Sequence, residues 1–167
     1  MSLRRAYLRQ PRSDFAVFNR LLEWEGVEMC HWLHYLQMAT ETLAKAVRLE
    51  AGARPDLVYS HIAFSKLTSL LRANPGLADA MAMRRSGFAA WLDASASLRA
   101  SIETLHPHVA RDGPDVEYPF LRGGGAGETY VAPADYNFSI GNEIHGPNAL
   151  RLRKFVMILL DQFDRLF

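Results

Sequence analysis

The segment His31 to Ala46, HWLHYLQMATETLAKA, constrains the fold more than any other part of the chain. At the α-helical rotation, His31, His34, Met38, Glu41, Lys45 and Arg48 fall within an arc of about 100°, and Met29, Leu33, Leu36, Leu43 and Val47 occupy the opposite side. One helix thus carries a core stripe and a polar stripe. Its apolar arc is wide, which predicts a central position.

The rest of the chain reads as helices arranged around it. Residues 13–23 form a short opening helix with Ser13 as N-cap and Phe15, Phe18, Leu21 and Leu22 at helical spacing. The second helix runs from about Val27 to Leu49 and stops at the Gly and Pro of 51–55. Asp56 caps a third to about Arg72, with Phe64, Leu67, Leu70 and Leu71 on one face and His61, Ser65, Thr68 and Arg72 on another. A fourth helical region fills 77–106, with a break expected near Ser86-Gly87, and a last helix runs from about Asn148 to Phe167. Between Pro107 and Pro147 the helical period is lost. That connection is long for a compact domain, and EYPF and ETYV on either side of GGGAG predict a short hairpin within it. The expectation is an all-α, up-and-down antiparallel bundle, a single domain over 1–167, with one long irregular insertion before the last helix.

Composition narrows the function classes without naming one. A chain of 167 residues is long enough to bury about 70% of its unfolded surface in one core. The net charge of +1 leaves no global footprint for nucleic acid, so any anion site is local and DNA is not expected as a partner. Cys30 is the only cysteine, which excludes an internal disulfide and a multi-thiolate zinc site and fits a reducing compartment. No segment has the apolar length of a membrane span, and the expectation is a cytoplasmic protein with no membrane partner.

HWLHYLQMATETLAKA resembles the second helix of the HEPN family (higher eukaryotes and prokaryotes nucleotide-binding), and His61 resembles the family's further His at the start of the next helix. EYPF at 117–120 and APADYNF at 132–138 look like segments of uncharacterised bacterial HEPN-like proteins. The resemblance implies a helical bundle, commonly a homodimer. It also implies function as a nucleotide- or RNA-binding module, a partner of a nucleotidyltransferase or antitoxin, or a metal-independent ribonuclease or toxin. The fold alone does not choose among these. The family's ribonuclease motif is an Arg, then a polar residue, with a His four to six intervening residues after the Arg. Arg54 to His61 and Arg99 to His106 satisfy the spacing, but Pro55 and Ala100 stand where the polar residue belongs. About two such spacings arise by chance from this His and Arg content. The sequence therefore favours binding over catalysis, with no catalytic residue assigned.

The candidate ligand or interface residues are His31, His34, Glu41, Lys45 and His61. Histidine suits such a stripe because it changes charge near neutral pH, although a solvated Glu-to-Lys pair explains the same pattern. A second candidate is the start of the last helix, where His145, Arg151, Arg153 and Lys154 place positive charge at an end that already attracts anions. Glu128 or Glu143 would neutralise the same cluster if nothing else does. Glu28-x-x-His31 and Glu103-x-x-His106 have the spacing of a ferritin-like di-metal bundle, but the further carboxylates from two other helices are missing, so no metal and no cofactor is assigned. Tyr118, Phe120, Tyr130, Tyr136 and Phe138 either stack bases or pin the loop, and little positive charge surrounds them. GGGAG lacks the Lys and Ser/Thr of a P-loop.

Overall fold

Helices α1 (Leu3–Leu22) and α2 (Met29–Glu50) form the frame. The turn over 23–28, with Gly26 at φ +82°, sends α2 back along α1, and this is the most extensive packing between any two elements. A computed structural model describes residues 3–53, 61, 63–111, 113–123 and 127–167; Arg54, Pro55 and the expected cap Asp56 lie outside the described residues. A short 3₁₀ turn (Ser65–Leu67) leads into α3 (Thr68–Ala73), followed by α4 (Pro75–Ala80), α5 (Arg85–Ala94), α6 (Ala96–Glu103) and α7 (Pro107–Ala110). Strands β1 (Phe120–Arg122) and β2 (Thr129–Val131) pair antiparallel before α8 (Ser139–Glu143), α9 (Pro147–Asp161) and α10 (Phe163–Leu166). The architecture is an all-α helical bundle carrying one small hairpin.

Helix α1 begins ten residues before Ser13 and runs through Pro11. A proline inside a helix removes a ladder hydrogen bond. Here Leu8, Pro11 and Phe15 are all buried, and Arg12 donates to the Leu160 carbonyl at 3.1 and 2.6 Å, so tertiary contacts offset that loss. At the end of α2, Gly52 takes φ +84°, which lets the Ala53 N–H reach the Arg48 carbonyl at 2.9 Å and closes the helix.

The core is continuous. Leu33, Leu36, Leu43 and Val47 of α2 meet Phe64, Leu67 and Leu71, the aromatic group Phe88, Trp91 and Phe155, and Leu159 of α9. Each fully buried large apolar side chain contributes about 1.5–3 kcal/mol through removal from water. Ala39, Ala44 and Ala46 are also fully buried and lie on different sides of α2, so this helix is enclosed for much of its length.

Other element boundaries also differ from the sequence expectation: residues 61, 63 and 64 are not helical, so the third helix is reduced to α3, and the last helix breaks at Gln162. The 77–106 region breaks at Met81–Arg84, where Ala82 adopts φ +55°, and again at Ser95, whereas Gly87 lies inside α5. Asn74 both terminates α3 and caps α4, accepting the Gly76 N–H at 3.0 Å. The 107–147 connection is more ordered than its composition suggests. Phe120, Tyr136 and Phe138 form an edge-to-face series at 5.1 and 4.9 Å, with Phe120 and Phe138 buried, so these aromatics pin the loop. Tyr118 and Tyr130 remain exposed. Glycine at 141 lets α8 seat against Met29, because a Cβ there would overlap the Met29 thioether. Among the described residues, no helix is long and apolar enough to cross a membrane.

Candidate functional site

Gln37, Glu41 and Lys45 repeat every four residues along one face of α2, and all three are buried. The helical wheel assigns Glu41 and Lys45 to a solvated stripe. They are enclosed instead: His61 lies against Glu41, and the chain over 63–67 is clipped to α6, where the buried Glu103 carboxylate accepts the Ser65 N–H at 2.8 Å. Burying two unpaired charges would be costly, and the sequence places them where each satisfies the other.

Lys45 Nζ lies 2.5 Å from Glu41 Oε1, and Gln37 Nε2 donates to Glu41 Oε2 at 2.6 Å. Burial pushes the Glu41 carboxyl up, but the hydrogen bond and charge of Lys45, the charge of His61 and the Gln37 amide outweigh it and hold the group below its ordinary value. An ionised carboxylate only accepts hydrogen bonds. The contact of 3.1 Å from Glu41 Oε1 to His61 Nδ1 therefore places the His61 proton on Nδ1 and leaves Nε2 with the lone pair when the ring is neutral.

Two further histidines complete the cluster. His106 caps α7, and its Nδ1 accepts the His108 N–H at 3.1 Å, which puts the proton of the neutral ring on Nε2. Its ring stacks on His61 with centroids 3.8 Å apart, and His108 lies 5.2 and 5.3 Å from the two. Burial lowers the His106 pKa, and the positive charge on His61, His108 and Lys45 adds to this against the opposing pull of Glu41. His61 and His106 are half-buried and His108 is exposed, so the cluster opens to the surface on its histidine side. Chemically it offers one imidazole lone pair and one imidazole N–H side by side, with a carboxylate orienting the first.

The other predicted residues do not join it. His31 is exposed. His34 faces the long loop, with Nδ1 3.6 Å from the Glu117 carboxylate. Beside it, buried Asp14 accepts from Gln10 at 2.8 Å through one oxygen, while the other has no protein hydrogen-bond partner. Burial raises the Asp14 pKa; the Gln10 hydrogen bond and the His34 charge only partly oppose it. A folded-state carboxyl pKa above its unfolded value makes the ionised form a cost to the fold that grows as pH rises from the ordinary carboxylate range. Asp14→Asn is therefore expected to raise the unfolding midpoint at neutral pH, with the gain shrinking as pH falls toward 4, measured by denaturant titration across pH.

At the start of α9, Arg153 donates to Asn19 at 3.0 Å and lies over the Phe18 ring at 5.4 Å, so it joins α1 to α9 and is not aimed at the helix end. His145, Arg151 and Lys154 are exposed there. Arg99 is 2% exposed and its guanidinium is engaged by Leu92, Ser95 and Thr68, so it is a buried structural group and the Arg99 to His106 spacing does not form an accessible cleavage pair. Of the paired Glu-x-x-His spacings, Glu28 and His31 are both exposed and Glu103 holds the Ser65 amide, so they do not build a di-metal centre.

His106 entered the sequence analysis only through the Arg99 and Glu103 spacings, neither of which places it beside His61, and His108 not at all. The signal that joins the two is the tight LHPH run at a helix end, and only the packing of that end over His61 gives it meaning. The fold and site together define an all-α bundle with a buried Glu–Lys pair beneath a half-open histidine cluster. Compared with models of known families, with curated proteins and with solved structures, the chain matches none.

Proposed function

We propose that this is a HEPN-like binding protein whose His61, His106 and His108 cluster, backed by Lys45, receives the phosphate of a nucleotide or RNA. The observation that carries the reading is the convergence of three imidazoles from two separate segments on one partly open surface, above a buried ammonium. The His106 Nε2–H donates to a phosphate oxygen, His61 donates through Nε2 once its ring is protonated, and the lysine charge acts through the few ångströms of low-dielectric protein beneath them. Glu41 limits that attraction by neutralising Lys45. It also fixes the orientation of His61, which favours a recognition site of modest affinity and defined geometry over a nonspecific basic patch.

One observation supports a second reading, cleavage of RNA without metal. His61 Nε2, whose ring Glu41 orients, would take a proton from a 2′-hydroxyl, with the N–H of the stacked His106 ring as the neighbouring donor. A single experiment separates the two. Mononucleotides and short single-stranded RNA are titrated into the protein in chelator by calorimetry, and the same RNA is then examined for strand scission. The binding reading expects saturable heat that His61→Ala weakens by about tenfold or more and Arg151→Ala leaves unchanged. Scission abolished by His61→Ala would convert it to the catalytic reading. Heat that is absent, or present but indifferent to His61→Ala, contradicts both.

A further inference from the structure

Glu41, His61 and His106 each bring a possible ligand atom to within 4.8 Å of the others. They come from α2, from the segment ahead of α3 and from the cap of α7, so their meeting is a product of the tertiary fold and not of any helical repeat. The geometry points to a divalent transition-metal site of the zinc type, held by a carboxylate oxygen of Glu41 and one ring nitrogen each from His61 and His106.

Two imidazoles and one carboxylate are a borderline-soft donor set that suits zinc, cobalt or nickel better than magnesium or calcium. In a tetrahedral site with bonds of about 2.0–2.1 Å, neighbouring ligand atoms stand about 3.3 Å apart. Glu41 Oε1 and His61 Nδ1 are already 3.1 Å apart. An ion placed between them needs His61 to carry its proton on Nε2 and the stacked His106 ring to tilt so that its lone pair aims at the same point, besides displacement of the Lys45 ammonium and of the His108 N–H. A fourth position is left open to solvent or a ligand, the arrangement of a reactive site and not of a purely structural one.

Lys45 is the competitor for this position. Its ammonium rests 2.5 Å from the same Glu41 oxygen, so the fold already sets a positive charge on the oxygen the ion would use, and metal entry displaces it. Gln37, on the other carboxylate oxygen at 2.6 Å, stays as the outer partner that orients the ligand. A neutral imidazole has one lone pair, and that of His106 now accepts the His108 N–H. Metal binding takes this lone pair and releases the His108 amide, which opens the cap of α7. The inference does not rest on the phosphate reading, and its test contains neither nucleotide nor RNA.

Untagged full-length protein is stripped with chelator, dialysed and titrated with Co²⁺ and Zn²⁺. One ion per chain is expected, with cobalt ligand-field absorption in the visible and a shift of the His108 amide resonance. His61→Ala and His106→Gln should each weaken binding by about tenfold or more, and Lys45→Met should tighten it by about the same factor. His31→Ala and His145→Ala should leave it unchanged. Helical circular dichroism of each variant confirms folding, and the rise in unfolding temperature that Zn²⁺ gives the parent should be missing from folded His106→Gln. No stoichiometric ion, binding that survives both His61→Ala and His106→Gln, or binding lost equally in His31→Ala overturns the site.

Discussion

Glu41→Ala is expected to destabilise the protein by about 3–5 kcal/mol, the range for breaking a buried ion pair by removing one partner. The cost lies in what the deletion leaves behind. Lys45, with 11% of its side chain exposed, would keep a buried ammonium without its carboxylate, and Gln37 and His61 would lose their acceptor. Lys45→Met alone should be milder, because Glu41 keeps Gln37 and His61 as partners. The double variant Glu41→Ala with Lys45→Met should recover a large part of the loss, since it leaves no unpaired charge in the core. Chemical denaturation of the four proteins measures this coupling. If the two single losses simply add, the pair is not the buried unit described above.

Arg99→Ala should have a comparable effect, about 3–5 kcal/mol, through a different mechanism. Arg99 is among the largest fully buried side chains, and its guanidinium donates to the Leu92 carbonyl at 2.8 Å, Ser95 Oγ at 2.5 Å and Thr68 Oγ1 at 2.9 Å. It thereby satisfies a carbonyl near the C-terminal end of α5, where the helix dipole favours a cation, and ties α3 and α5 to α6. Burial lowers its pKa, while the nearby Glu103 and Asp93 carboxylates oppose that shift. Truncation removes all three hydrogen bonds and opens a cavity. Arg99→Met should restore the packing but not the hydrogen bonds, and so recover only part of the stability. Equal midpoints for Arg99→Ala and the parent would show that the arginine does not hold these helices.

Much of this fold is legible in the sequence because apolar periodicity is local. The stripe through Leu33, Leu36, Leu43 and Val47 announces α2, and the pattern through Leu152, Phe155, Val156 and Leu159 announces α9. What failed was decided by tertiary contacts. Ser13 reads as the N-cap of a helix that starts there, yet α1 begins at Leu3 and burial of Pro11 against the bundle carries the helix through it. Gly87 reads as a breaker, yet the chain turns at Ala82 and Ser95.

The candidate site divides in the same way. Glu41, Lys45 and His61 could be named from their pattern, and the structure brings those three together. Periodicity shows which residues share a face but not what covers that face, so the burial of Glu41 and Lys45 was invisible, as was the arrival of His61, His106 and His108 beside them. Arg153 shows the opposite case. Its position near a helix start suggests an anion site, but Asn19 and the Phe18 ring, far away in sequence, engage it.

The claim that the histidine cluster is the ligand site is tested most directly by nuclear magnetic resonance of the imidazole groups during titration with short single-stranded RNA in chelator. The resonances of His61, His106 and His108 should move first and saturate together, while those of His31 and His145 stay in place. Early movement confined to His145 and the backbone amides at the start of α9, with the cluster unmoved, would contradict it.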